Sequence, residues 1–255
     1  MKYFVKEDSI VREIWGKADT VLFIFAASAA EFALNKAVDW LYFTGKLPAD
    51  PLGRLFSTVT YAQRIIFSTN NEACAAIDQI TAIHKQVEHA RGSQIPDWAY
   101  RDVLFMLIDY SIRAYELLEC KLTLAEKEEV FHVFCKVGLR MGFEGLPTTY
   151  NAWKIMREIH LKQDLQFSNF TVDLFKQYRQ HLGGVRFPLL KLVQALMAPS
   201  DVTDLLKLKQ IRRLKPLLYL YKISSHIKLQ VYLKNALLPV KYKIEIQNLD
   251  TYGGR

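Results

Sequence analysis

The sequence predicts an all-α protein, and three observations carry that expectation. Apolar residues recur at helical spacing along nearly the whole chain, and alternating strand patterns are almost absent. Helix starts and stops are written in Ser, Thr, Asn, Pro and Gly at regular intervals. Half of the 255 residues (51%) are hydrophobic and 13% are aromatic, enough for a large packed core. We expect a single globular domain of about ten helices spanning residues 1–255, because no linker, repeat or low-complexity stretch divides it.

The elements follow in order. A first long helix is expected over about 19–43, stopped by Gly45 and Pro48. Its apolar run, Val21 to Leu34, is shorter than the roughly 20 residues that span a bilayer and is broken by Glu31, so a buried core helix is expected. Pro51 opens a second helix, about 52–67. Ser68-Thr69-Asn70-Asn71 breaks the chain and caps a third, about 72–90, which Gly92 ends. Pro96-Asp97 starts a fourth, to about 119. Thr123 and Glu126 form a capping box for a fifth, which runs to about 141 and stops at Gly142. Pro147-Thr148-Thr149 begins a sixth, to about 161. Ser168 or Asn169 caps a seventh, ended by Gly183-Gly184. Further helices are expected near 188–197, 202–213 and 216–237, and the alternating stretch 241–247 is compatible with an extended tail.

Composition narrows the chemistry. The three cysteines, Cys74, Cys120 and Cys135, fall in no CxxC or CxxCH pattern, which argues against a zinc ribbon, a thioredoxin site and covalent haem attachment. Their sparse, odd number suits a reducing compartment. Met1 to Arg12 is of mixed charge without the apolar core of a signal peptide, so a cytoplasmic protein is expected. GxGxxG, Walker A, HExxH and GxSxG patterns are all missing. The net charge is +8, and residues 185–243 hold twelve Lys and Arg against Asp201 and Asp204. Within them 207–215 reads as a basic amphipathic segment. It is compatible with peripheral contact to an anionic membrane, or with an ordinary solvated helix face. No recognition motif or aromatic platform accompanies this charge, so nucleic acid is not an expected partner.

Two helices carry the candidate site. On the second, Arg54, Thr58, Tyr61 and Ile65 share one face, beside an apolar stripe of Leu55, Val59, Ala62 and Ile66. A partly buried Arg54 needs an anion or several acceptors, and Thr58 adds a hydroxyl one turn away. On the third, Ile77, Ile80, His84 and Val87 recur at helical spacing, which puts His84 in the apolar stripe and leaves His89 off it. A lone histidine there is either a core residue bonded to a carbonyl or an axial ligand. One protein ligand suffices for haem, whose macrocycle supplies four nitrogens, and is too few for zinc. Asp109, in an apolar helix, can accept from Arg113, orient His84 or pair with Arg54. Tyr61 and Tyr150 are candidate cavity-lining residues.

At these residues the chain resembles a known family. The blocks Ile10-Val11-Arg12-Glu13-Ile14-Trp15-Gly16, Asp50-Pro51-Leu52-Gly53-Arg54-Leu55-Phe56-Ser57-Thr58, Ile83-His84-Lys85-Gln86-Val87 and Leu146-Pro147-Thr148-Thr149-Tyr150 occur in the order of the MpaB-type oxygenases, which include the latex-clearing rubber oxygenases. The resemblance covers roughly residues 10–165. It implies an all-helical fold holding haem b, with His84 as the proximal iron ligand. Arg54 and Thr58 would lie on the distal side, as cofactor-binding and catalytic residues. It further implies oxygenation of a hydrophobic small molecule with O2. Ser57 stands where the rubber oxygenases place a lysine, and Leu104 where many relatives have a histidine. Glu31 and Asp39 are the candidates for the family's distal carboxylate. The alternative is a non-catalytic module of the same fold that binds a membrane or protein partner through its basic C-terminal part.

Overall fold

The computed structural model describes residues 2–45 and 49–208 of the chain. They form ten helices: α1 (Ile10–Gly16), α2 (Ala18–Phe32), α3 (Asp39–Phe43), α4 (Pro51–Phe67), α5 (Asn70–Arg91), α6 (Asp97–Leu118), α7 (Leu124–Met141), α8 (Tyr150–Gln163), α9 (Asn169–Met197) and α10 (Ser200–Leu205). Among the described residues the β pairing is limited to two isolated bridges, Tyr3 with Thr69 and Asn35 with Leu165. The all-α expectation holds.

Most boundaries follow local chemistry. Asp50 caps α4 by accepting from the Gly53 N–H, and Pro51 occupies its first turn. Thr69 with Glu72, and Thr123 with Glu126, form reciprocal capping boxes on α5 and α7. Gly92 and Gly142 close the same two helices in the left-handed conformation, at φ 70° and 82°, where a Cβ would be strained.

One expectation needs correction. The long first helix is divided into α2 and α3, because the backbone at 34–36 leaves the helix to pair with a distant segment. Lys36 N–H donates to Asp164 O (2.9 Å) and Gln166 N–H to Leu34 O (2.8 Å). Asn35 holds the break by accepting from Ala37 N–H (2.8 Å). The stop expected at Gly183-Gly184 is present: Gly183 leaves helical geometry at φ 72°, ψ −173°, and a second helical stretch of α9 then runs to Met197. The elements expected at 216–237 and 241–247, and most of 207–215, lie outside the described residues.

The core is built around α2. Its Ala27, Ala29 and Ala30 are buried and let neighbouring helices approach closely; its widest contact is with α6, then with α9. The apolar run Val21 to Leu34 is therefore a core helix, and among the described residues no helix is long and apolar enough to cross a membrane. Trp15 anchors α1 into this core. Its indole N–H donates to Ser111 Oγ (3.1 Å), and its carbonyl accepts from Gln63 Nε2 (3.1 Å), so no polar atom of this large buried residue is stranded.

Candidate active site

Helices α4 and α5 pack together and are joined only through Ser68 and Thr69. In such an antiparallel hairpin, residues equally far from the turn stand level. Arg54 and His84 are each about 14–15 residues from it, roughly 21 Å along their helices. The hairpin therefore brings together two residues thirty positions apart, and the Arg54 cation is close enough to act on the imidazole.

Arg54 is largely withdrawn from solvent. Its Nη1 donates to Ser57 Oγ (3.1 Å) and Thr58 Oγ1 (3.3 Å). Both hydroxyls donate in turn to the Arg54 carbonyl, at 2.8 and 3.2 Å. Among the described residues no carboxylate pairs with this guanidinium. Burial pulls its pKa below the ordinary value, and Tyr61 partly offsets that. A partly buried cation solvated by two hydroxyls keeps capacity for an anion.

His84 is half-buried, but its Nδ1 is shut off from solvent and has no hydrogen-bond partner among the described residues. Burial first, and the Arg54 charge second, push its pKa down to about 4, while Glu88 pulls the other way. The ring is neutral at physiological pH, the form that offers a lone pair to a metal. Its face lies against Tyr100, with centroids 5.3 Å apart and planes at 51°.

The other sequence candidates lie elsewhere. Asp109 neither orients His84 nor pairs with Arg54; it accepts from Arg113 Nε (2.6 Å) and from Arg157 Nε and Nη2 (both 3.2 Å). Glu31 is held by Arg157 through two bonds (2.5 and 2.6 Å) and by the Tyr110 hydroxyl (3.0 Å). Asp39 pairs with Arg91 at 2.6 Å, beneath the same guanidinium that lies over Trp40. Tyr150 stacks on Trp153, 5.2 Å between centroids. Leu104 is a core residue.

The chain matches the family model of the "ER-bound oxygenase mpaB/B′/Rubber oxygenase, catalytic domain" over residues 14–221. It belongs to that oxygenase family. The match extends well past residue 165, where the resemblance of the motif blocks stops. Comparison with curated proteins and with solved structures found no match.

What sequence reasoning missed in this oxygenase-family domain is a buried ionic cluster joining α2, α6 and α8. Glu31, Asp102 and Asp109 surround Arg157, with Arg113 at the edge. Asn35 Nδ2 donates to Asp102 Oδ2, and the other oxygen lies 3.5 Å from Arg157 Nη1. Burial and the neighbouring Glu31 raise the Asp102 pKa to about 8. With Asp102 protonated, two carboxylates face two guanidiniums and the cluster is neutral. The signal was present: Trp153, Arg157 and Leu161 put an arginine in an apolar stripe, and Asp102 and Asp109 are two helical turns apart on one face.

This arrangement predicts a pH effect. The Asp102 carboxyl is more basic in the folded protein than in the unfolded chain, where its pKa is about 3.9. The folded state therefore retains a proton that the unfolded state has lost, and this site's contribution to stability falls as pH rises from about 4 to about 8. Asp102→Asn keeps an acceptor for Asn35 and cannot ionise. The stability of the variant relative to wild type is expected to rise across that window, read as paired urea melts between pH 5 and 9. A difference independent of pH would show that Asp102 is ionised throughout.

Proposed function

We propose that this protein is a haem-b-dependent oxygenase acting on a hydrophobic small molecule with O2. The observation that carries the reading is the pairing, level across one helical hairpin, of a neutral imidazole with a half-buried guanidinium that no carboxylate among the described residues neutralises. The residues suit the group: the donor set is a single nitrogen ligand and an anion site, as an iron macrocycle with acidic side chains requires.

His84 is the iron ligand in this proposal. Arg54 would pair with an acidic side chain of the haem, and Thr58 and Ser57 hold its guanidinium in place. When bound, haem supplies the iron chemistry that oxygenation with O2 needs. The protein's contribution is to keep the imidazole deprotonated, through burial and the Arg54 charge, and to hold a cation near it. Ser57 has no amine to offer as a distal ligand, and its hydroxyl is already committed to Arg54. This favours a substrate other than the polyisoprene of the rubber oxygenases.

Haemin titration tests the reading. Wild-type protein is expected to develop a Soret band at one equivalent, and His84→Ala to lose it while its thermal melt stays close to wild type. A protein that binds no haemin, or a variant that binds it equally well, would overturn the assignment.

A further inference from the structure

A histidine that ligates a metal is ordinarily steadied by a hydrogen bond from its second ring nitrogen. Among the described residues the His84 Nδ1 has none, yet the ring meets Tyr100, at the start of α6, and Tyr100 is itself fixed on three sides. One face packs on His84 at 5.3 Å, and the ring also stacks on Phe143 (4.9 Å, 25° between planes) in the loop after α7. Its hydroxyl donates to Glu88 Oε1 at 3.0 Å. Glu88 lies one turn beyond His84 on α5, so the two project from the same helical face. The same Glu88 oxygen accepts from the Ile95 N–H at 2.9 Å, which ties the α5–α6 loop into the arrangement. Three elements thus converge on one aromatic ring, and that ring lies on the imidazole.

We propose that Tyr100, anchored through Glu88, is the positioning residue of the His84 imidazole, in place of the missing Nδ1 hydrogen bond. The proposal rests on the reading of His84 as the haem ligand and deepens it. Rotation of the imidazole about χ2 must displace the Tyr100 ring, which cannot move without breaking its bond to Glu88 and leaving Phe143. The bond also keeps Glu88 Oε1 occupied. A carboxylate released one turn from His84 would be drawn to Nδ1 and would reorient the ring. Glu88 therefore positions the imidazole through Tyr100 and the loop rather than by a hydrogen bond to it.

The test has an arm that needs no cofactor. Imidazole 15N correlation spectra of the cofactor-free protein report the tautomer and mobility of His84 directly. Wild type is expected to show one sharp pair of ring-nitrogen signals. Tyr100→Leu is expected to broaden or average them, and Tyr100→Phe, which keeps the ring and loses the hydroxyl, to shift them. Glu88→Gln retains an acceptor for both the phenol and the Ile95 N–H, and is expected to restore the wild-type pattern. In the second arm, Tyr100→Leu is expected to weaken haemin binding by about tenfold or more, with Glu88→Gln within about twofold of wild type. Unchanged His84 signals in both Tyr100 variants would overturn the proposal, and Tyr100→Phe decides the matter where Tyr100→Leu does not fold. Should wild type bind no haemin while its His84 signals respond as described, the brace stands and it is the haem assignment that falls.

Discussion

Replacing Arg157 with methionine is expected to lower the unfolding free energy by about 3–5 kcal/mol, the usual consequence of removing one partner from a buried ion pair. Arg157 is 4% exposed, and its guanidinium contacts all three buried carboxylates of the cluster. Its loss strands Glu31 with only the Tyr110 hydroxyl, and Asp109 with only Arg113. The charge must then be carried unpaired in the core, or the carboxylates must take up protons. The second route predicts that the variant is rescued in part at low pH, where unpaired carboxylates are neutral. Urea melts at pH 7 and pH 5 would read both effects. For a chain of this size the loss corresponds to a melting temperature lower by about 10 °C. A loss below about 1 kcal/mol would mean that α2, α6 and α8 are held by apolar packing alone.

The second large effect concerns the candidate active site and has the opposite sign. Arg54→Met is expected to raise stability by about 1 kcal/mol while it weakens haemin binding by tenfold or more. The guanidinium is half-buried with two neutral hydroxyls as its partners, a state that an apolar side chain of similar length improves. Ser57 and Thr58 do not suffer from the exchange, since both still donate to the residue-54 carbonyl. A residue that stabilises the fold when removed is there for what it binds. Thermal melts and haemin titration on the same sample decide the point. A destabilised variant with unchanged haemin affinity would mark Arg54 as a structural residue.

These two arginines show how far the sequence could be read. Arg54 stood out because its neighbours are local: Ser57 and Thr58 are three and four residues on, one helical turn away. The same local logic found His84, the capping boxes of Thr69 and Thr123, and the glycine stops at Gly92 and Gly142. Even the meeting of Arg54 with His84 is implicit in the chain, because both lie the same number of residues from the break at Ser68-Thr69. Arg157 did not stand out, although it lies in an apolar stripe between Trp153 and Leu161. Its partners come from α2 and α6, 126 and 48 residues away, and no periodicity reports a contact between separate helices.

The same division explains the misplaced element. Residues 19–43 have helical periodicity throughout, and nothing local requires a break near Asn35. The break exists because the backbone at 34–36 bonds to 164–166 and the Asn35 side chain reaches Asp102. Asp109 was correctly matched to Arg113, four residues on, but its second partner, Arg157, is a tertiary contact.

By itself, then, the amino-acid sequence determined the fold class, nearly every helix end, and that Arg54 and His84 stand level across one hairpin, because each of these depends on side chains within a few residues of one another or symmetric about one turn. Only the tertiary structure decided where α2 stops, which carboxylates neutralise Arg157, and that the Tyr100 ring meets His84. Those outcomes depend on which helices lie side by side, and that is set by the collective burial of apolar faces around α2.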